Sequence, residues 1–243
     1  MNTSRRNFIK KTTTAAAGLG LLGTANAMSA KSYNNIIGAN DRINVAIQGL
    51  GRRYSGFIDG IAAKQNNVRL QYLCDVMPSQ LEKAQVKVGK KIDYKIKSEA
   101  DIRNIINDKN IDAIFMATPD HWHTPGAIMA MQAGKHVYLE KPCSHNPREN
   151  ELVVAAQKKY NKVVQMGNQQ RSSLESQEII ADIHKGVIGD VYRAVAFYTN
   201  RRGKVPVPVK ATPPNGLNWD LFQGPSPRKE YTHDTWNYNW HWY

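Results

Sequence analysis

The sequence has little cysteine, no acidic residue near its start and no long apolar run. Its two cysteines, Cys74 and Cys143, are too few and too far apart for a disulfide framework or a zinc site. The apolar stretch at 15–22 is too short, and too rich in glycine, alanine and threonine, to span a bilayer. What remains is a globular chain of 243 residues, long enough to bury a core without covalent staples.

The chain has 33 lysine and arginine residues against 20 aspartate and glutamate residues, and its formal net charge is +13. Such a surplus favours anionic partners through its long-range field. The basic residues are scattered, however, and show no helix-turn-helix or zinc-finger pattern. Nucleic acid is therefore not predicted as a partner, whereas a dinucleotide or a membrane surface fits the charge.

The first 27 residues have the three parts of an export signal. Residues 4–10 match the twin-arginine pattern around Arg5 and Arg6, an apolar run follows at 15–22, and Ala-Asn-Ala at 25–27 is a small-x-small cleavage site. The pattern predicts a twin-arginine signal peptide over 1–27, a polar linker over 28–40 and a periplasmic or otherwise exported protein. Retention of the peptide as an anchor stays open.

Short apolar runs alternate with helical patterns from residue 41 onward. Strands are predicted at 43–47, 68–74, 111–117, 136–139 and 163–166, and helices at 50–66, 78–88, 98–107, 124–133 and 147–160. Strands that alternate with helices of this length indicate a doubly wound parallel sheet with helices on both faces. We assign 41–165 to a Rossmann-type domain of α/β class.

The pattern changes near Ser173. A helix is predicted to Lys185 and a partly alternating strand over 189–199, and the chain then becomes rich in proline, glycine and tryptophan. The last residues, 233–243, are very aromatic, and an apolar segment of this kind is normally enclosed by further structure. We therefore expect 166–243 to be part of a truncated substrate and dimerisation domain.

A glycine-rich turn follows the first predicted strand. Gly49 permits a tight turn, Gly51 allows the backbone to approach a diphosphate, and the next helix offers its N-terminal N–H groups. The third glycine of G-x-G-x-x-G is replaced by Tyr54, so the helix either tilts away or uses Gly56 for close packing.

Asp75 ends the second predicted strand, 24 residues after Gly51. A carboxylate at this position accepts hydrogen bonds from a ribose diol, which favours NAD. Arg52 and Arg53 could pair with a 2′-phosphate instead, so NADP stays possible.

Two further loops follow predicted strands and should lie beside the same cleft, since ligands bind outside the carboxyl ends of strands in such sheets. The first is 117–123 and the second is 140–142. A metal site is not predicted, because His121 and His123 have no third ligand nearby. The candidate residues of the two loops are Thr118, Pro119, Asp120, His121, His123, Glu140 and Lys141.

In this order, Gly-Leu-Gly, Asp75, the Ala-Thr-Pro loop with its two histidines and Glu-Lys-Pro resemble the Gfo/Idh/MocA oxidoreductases. The resemblance extends from residue 41 to about 243, and it is strongest to the exported members with an Asp-His-Trp-His loop. It implies a second α+β domain with a mostly antiparallel sheet, a sugar or cyclic polyol as substrate, and a homo-oligomer in the full-length form.

The resemblance also implies individual roles. Lys141 would lie near the nicotinamide and the substrate hydroxyl, where its ammonium group would favour a developing alkoxide. The loop from Asp120 to His123 would line the nicotinamide end, and Asn168 would lie at the floor of the cleft. The acid/base histidine of the family lies farther along than this chain extends, and neither His233 nor His241 matches its motif.

Three functions follow. The first is NAD(P)-dependent hydride transfer to or from a sugar or polyol. The second is an NAD-dependent glycosidase of the same superfamily, in which the lysine position is usually apolar, so Lys141 favours the first. The third is a catalytically inactive, truncated binding protein.

Overall fold

The computed structural model describes residues 42–199, 207–233 and 240. The predicted signal peptide, the linker and His241 lie outside these residues. The described part contains one six-stranded sheet in the order β3-β2-β1-β4-β5-β6, and every neighbouring pair is parallel. The strands are β1 Ile43–Gln48, β2 Val68–Cys74, β3 Lys97–Glu99, β4 Ala113–Met116, β5 His136–Glu140 and β6 Val164–Gly167.

Helices cover both faces of the sheet: α1 Ser55–Ala62 and α2 Pro78–Gly89 pack on one face, and α3 Ile102–Ile106, α4 Asp120–Gln132 and α5 Pro147–Tyr160 pack on the other. Two further helices, α6 Leu174–His184 and α7 Trp219–Gln223, follow β6. Short 3-10 turns lie at Lys64–Asn66 and Gln169–Ser172. Among the described residues, no helix is long and apolar enough to cross a membrane.

Side-chain alternation along β1 divides the core into two layers. Val45 and Ile47 face α1 and α2, whereas Ala46 faces α3, α4 and α5, and all three are at most 1% exposed. A central parallel strand is covered on both sides, which is why three consecutive residues of β1, Val45 to Ile47, are apolar and buried. Gln48, at the carboxyl end of β1, is buried although it is polar.

The predicted α/β class with a Rossmann-type parallel sheet is confirmed. The bounds of β2 and α5 agree with the sequence prediction, and Asn146 caps α5 by accepting a hydrogen bond from the backbone N–H of Glu149. The strand β3 was not predicted. Its three residues, Lys97 to Glu99, carry no apolar side chain because β3 is an edge strand with mostly exposed side chains.

The prediction that 117–123 is a loop is wrong for its second half, because α4 begins at Asp120 rather than at residue 124. The predicted start at residue 124 would place Pro125 in the first helical turn, where proline is best tolerated. In the structure Pro125 is inside the helix, and tertiary contacts of the three residues before Thr124 hold the extra turn in place.

The strand predicted over 189–199 is also wrong for this structure, which has neither helix nor strand there. A strand needs a neighbour for its backbone groups, and no described strand lies beside these residues. Their side chains are exposed, as Tyr192 at 96% and Phe197 at 85% illustrate. A single antiparallel bridge joins Lys210 to Thr232, so the antiparallel sheet of a second domain stays a prediction.

Candidate functional site

A cleft of about 470 Å³ lies at the carboxyl ends of β1, β2, β4 and β5. The sheet order reverses between β1 and β4, and this switch point is where doubly wound sheets bind ligands. Most of the predicted site residues meet here. The cleft is lined by Gly49, Gly51, Arg52, Arg53, Asp75, Thr118, Pro119, Asp120, His123, Glu140 and Lys141.

The glycine-rich turn has the backbone that its sequence predicts. Gly49 has a φ of 86°, and a Cβ atom placed on it would lie 2.6 Å from the carbonyl oxygen of Ala117. Gly51 is different, because a Cβ atom there would meet nothing within 4 Å and would occupy the cleft. Gly49 is therefore required by the neighbouring strand, and Gly51 leaves space for a ligand.

Tyr54 replaces the third glycine without opening the helix–sheet contact. Its side chain is 6% exposed and packs in the same core layer as Phe57 and Ile58. Gly56 does not take over the packing role either. A Cβ atom on Gly56 would lie 2.6 Å from Nη1 of Arg53, so this glycine makes room for the arginine side chain.

Arg53 is used by the protein itself. Its Nε donates a hydrogen bond of 2.6 Å to Oε1 of Glu140, whose side chain is 5% exposed. The guanidinium group also lies 5.3 Å from the centre of the Phe57 ring. The pair joins the glycine-rich turn to the Glu-Lys-Pro loop, so Arg53 holds the two halves of the cleft together, whereas Arg52 is exposed at its edge.

Asp75 braces the same turn, a role that the sequence did not reveal. Its Oδ2 accepts a hydrogen bond of 2.7 Å from the N–H of Leu50, and its Oδ1 accepts one of 2.9 Å from the N–H of Met77. Burial raises the pKa of Asp75, and the two backbone hydrogen bonds oppose that shift. Each oxygen keeps a second lone pair, so the carboxylate can still accept from a ribose diol.

The Glu-Lys-Pro loop presents its lysine to solvent at the cleft. Lys141 is exposed and lines the cleft, and its ammonium group makes no hydrogen bond or ion pair with any residue that the structure describes. The neighbouring carboxylate of Glu140 is already occupied by Arg53. Lys141 therefore keeps its three N–H donors for a ligand.

The Asp-His-Trp-His segment is a docking element as well as a cleft wall. Nε1 of Trp122 donates to the carbonyl oxygens of Leu221 and Phe222 at 3.1 and 3.0 Å, and Nε2 of His121 lies 2.8 Å from the Phe222 oxygen. Gly224 has a φ of 52°, and a Cβ atom there would lie 2.2 Å from the Trp122 ring. The first turn of α4 thus fixes α7 over the cleft.

His123 joins the loops that follow β4 and β5. It is 1% exposed, and its two ring nitrogens lie within hydrogen-bonding distance of the carbonyl oxygens of Pro142 and Thr118. The described residues contain no cluster of three or more histidine, cysteine, aspartate or glutamate side chains that could hold a metal ion. The positions of His121 and His123 are explained by these backbone contacts.

The docking of α7 should depend on pH through His121. Burial lowers the pKa of His121, helped by the neighbouring imidazoles of His145 and His123 and opposed by the Phe222 carbonyl and Asp120. A histidine with a lowered pKa contributes its full stability above its ordinary pKa of about 6.5 and loses it as the pH falls below that value. The urea midpoint of the chain should therefore fall between pH 7 and pH 5.5.

The variant His121→Asn is the control for this prediction. It lacks the titrating ring, so part of the drop in urea midpoint between pH 7 and pH 5.5 should disappear. Equal drops in the two proteins would show that His121 is not responsible.

Two predicted residues lie outside the cleft lining. His121 turns towards α7, as described, and Asn168 is exposed after β6, where its backbone oxygen accepts from the N–H of Arg171. β6 is the edge strand beyond β5, so its end is far from the switch point, and Gln169 reaches the cleft instead. Trp122 lines the cleft, as expected for the loop from Asp120 to His123. Sequence analysis missed further lining residues, among them Gln48, Gln169, Leu221, Phe222 and Trp240.

The residues at the cleft suit a dinucleotide. The turn at Gly51 leaves space that any larger side chain would fill, and no described side chain caps the N-terminus of α1. Two buried polar atoms in cleft-lining residues, Oε1 of Gln48 and Oγ1 of Thr118, have no hydrogen-bond partner among the described residues. A polar ligand that crosses the switch point would satisfy them.

Comparison with known proteins agrees with this geometry. Residues 43–168 match the family model described as an oxidoreductase family with an NAD-binding Rossmann fold. A glycosyl hydrolase family 109 protein of Saccharopolyspora erythraea is 29% identical over 210 residues, which is 80% of this chain and 45% of the relative. The chain thus spans about half the length of the curated relatives that it matches.

Two solved structures share the fold. Myo-inositol 2-dehydrogenase of Lactobacillus plantarum is 28% identical with a TM-score of 0.55 over 62% of this chain and 43% of that one. Scyllo-inositol dehydrogenase of Lactobacillus casei, solved with NAD(H) and scyllo-inositol, is 27% identical with a TM-score of 0.54 over 61% and 43% of the two chains.

Proposed function

The chain belongs to the Gfo/Idh/MocA oxidoreductases, and from that premise we propose that it moves a hydride between NAD and a sugar or cyclic polyol. The observation that supports this function best is the order of groups along one edge of the sheet. Asp75 follows β2, the glycine-rich turn follows β1 and Lys141 follows β5, and all of them line one cleft. Export through the twin-arginine pathway is part of the same proposal.

The protein's part in cofactor binding is carried by backbone and carboxylate groups. The turn at Gly51 admits a diphosphate, and the N-terminal N–H groups of α1 are oriented towards an anion. Asp75 accepts from the adenosine ribose while it holds the turn through Leu50. A 2′-phosphate would meet this carboxylate, which is the reason to prefer NAD over NADP.

The protein's part in the reaction centres on Lys141. A bound nicotinamide supplies the hydride acceptor or donor. The ammonium group of Lys141 holds the reacting oxygen by hydrogen bonds and stabilises the negative charge that develops on it. Trp122 and Phe222 help to exclude water from this end of the cleft, because both line it and are at least partly buried.

An NAD-dependent glycosidase is the second candidate function, and the similarity to curated relatives favours it. These relatives are named glycosyl hydrolase family 109 proteins. In an NAD-dependent glycosidase the hydride returns to the sugar, so free NAD shows no net reduction. Release of an aryl leaving group without accumulation of NADH would favour this second function, and accumulation of NADH with a free inositol or sugar would favour the first.

Calorimetric titration of the chain with NAD and NADP tests the cofactor proposal. We expect NAD to bind with a Kd between about 1 µM and 1 mM, the range typical of enzyme ligands. NADP should bind at least about tenfold more weakly, because its 2′-phosphate faces Asp75. The variant Asp75→Ser should reduce this difference between the Kd values for NADP and NAD. Absence of heat with both coenzymes would refute the proposal.

A further inference from the structure

One polar side chain of the cleft is explained neither by the family pattern nor by the packing. Gln48 is the last residue of β1 and only 7% exposed, although it follows three apolar, buried residues, Val45 to Ile47. Its Oε1 is buried and has no hydrogen-bond partner among the described residues. Buried amide oxygens are nearly always paired, so an orphan in a cleft wall points to a ligand.

Thr118 shows the same feature two residues after the neighbouring strand β4 ends. Its Oγ1 is buried and has no partner in the described part of the chain. The two residues lie at the same edge of the sheet, because Gln48 pairs with Met116 and its carbonyl oxygen accepts a hydrogen bond of 2.8 Å from the N–H of Ala117, the residue before Thr118. Both therefore stand at the switch point between β1 and β4.

The order of the strands indicates which part of a dinucleotide reaches each strand end. Across the sheet, the four strands that border the cleft lie in the order β2, β1, β4 and β5. Asp75 at β2 is assigned to the adenosine ribose and Lys141 after β5 to the nicotinamide end. Gln48 and Thr118 lie between these two, where the diphosphate and the second ribose cross the sheet.

Hydrogen-bond chemistry decides between the diphosphate and the ribose. The unpaired atom of Gln48 is its amide oxygen, which needs a donor from the ligand, whereas the hydroxyl of Thr118 can donate or accept. The oxygens of a diphosphate at neutral pH only accept. A ribose hydroxyl donates. We propose that Gln48 and Thr118 together bind the hydroxyl groups of the nicotinamide-side ribose, which adds Gln48 to the cofactor-binding residues; this inference rests on the proposed function.

The experiment uses the variant Gln48→Met, which keeps the length of the side chain and removes its polar atoms. Apo protein should melt about 2 to 4 °C higher, since an unpaired buried group is lost. NAD and ADP-ribose, which contain the second ribose, should bind about 3- to 10-fold more weakly by calorimetry, and ADP should bind as it does to the parent chain. Thr118→Val should show the same pattern.

The control is Gln132→Met, at the exposed end of α4, which should change neither melting nor binding. If the parent chain binds NAD, and Gln48→Met binds NAD and ADP-ribose with the same Kd values as the parent chain, the inference fails and the proposed function stands. Equal weakening for ADP, or a lower apo melting temperature, also overturns it. If the parent chain binds none of the three nucleotides, the proposed function fails and takes the inference with it.

Discussion

The substitution Gly49→Ala should destabilise the chain by about 2–4 kcal/mol and abolish nucleotide binding. The backbone of Gly49 has a φ of 86°, which strains any residue with a Cβ atom. The new methyl group would also lie 2.6 Å from the Ala117 oxygen, and that oxygen belongs to the backbone leaving β4. Because β1 and β4 are both central strands, neither can move aside at low cost.

Two other glycines provide matched controls. Gly60 is exposed within α1 and a Cβ atom there meets nothing within 4 Å, so Gly60→Ala should stabilise the chain by about 0.5–1 kcal/mol. Gly51→Ala should leave the urea midpoint almost unchanged and weaken NAD binding about tenfold, since its methyl group enters the cleft. A Gly49→Ala protein with parental stability would contradict the geometry of the turn.

The sequence predicted the sheet because its information is local. The runs of apolar residues in β1 and β2, and the glycine or aspartate that ends each of them, are visible within a few residues. The rule that ligands bind at the carboxyl ends of parallel strands then brought Gly49, Asp75 and Lys141 to one edge. No long-range contact was needed for these predictions.

The interactions that hold the cleft together are long-range, and the sequence does not reveal them. Arg53 and Glu140 are 87 residues apart, and His121 is 101 residues from Phe222. Residues so far apart in the sequence can be recognised as partners only when the fold that brings them together is known. For the same reason Asp120 to His123 were expected in a loop, although contacts with α7 and with Pro142 make them helical.

Gln48 shows a different limit. A polar residue at the end of an apolar strand usually marks the surface, and burial at 7% exposure follows only from its neighbours in the sheet. Asn168 shows the reverse, since its position after a strand suggested the cleft, and the strand turned out to be the edge of the sheet. The position of a strand in the sheet decided both cases.

The substitution Lys141→Met should lower kcat by about 10²- to 10⁴-fold in whichever of the two proposed reactions the protein catalyses. The ammonium group is exposed in the cleft, and the structure describes no ion pair that its removal would break. Melting temperature should therefore stay unchanged, and the Kd for NAD should change by less than about threefold, because the lysine is assigned to the substrate oxygen rather than to the diphosphate.

The ion pair between Arg53 and Glu140 makes this prediction specific to Lys141. With its carboxylate taken up by Arg53 at 2.6 Å, Glu140 does not compete for the neighbouring lysine. Glu140→Gln should weaken the ion pair with Arg53 and loosen the loop that carries Lys141, so this variant should have both a higher KM and a lower kcat. Lys141→Met should lower kcat alone. Lys158→Met, on the exposed side of α5, is the control for loss of a surface charge. Parental kcat in Lys141→Met would remove the lysine from the mechanism and leave the dinucleotide site intact.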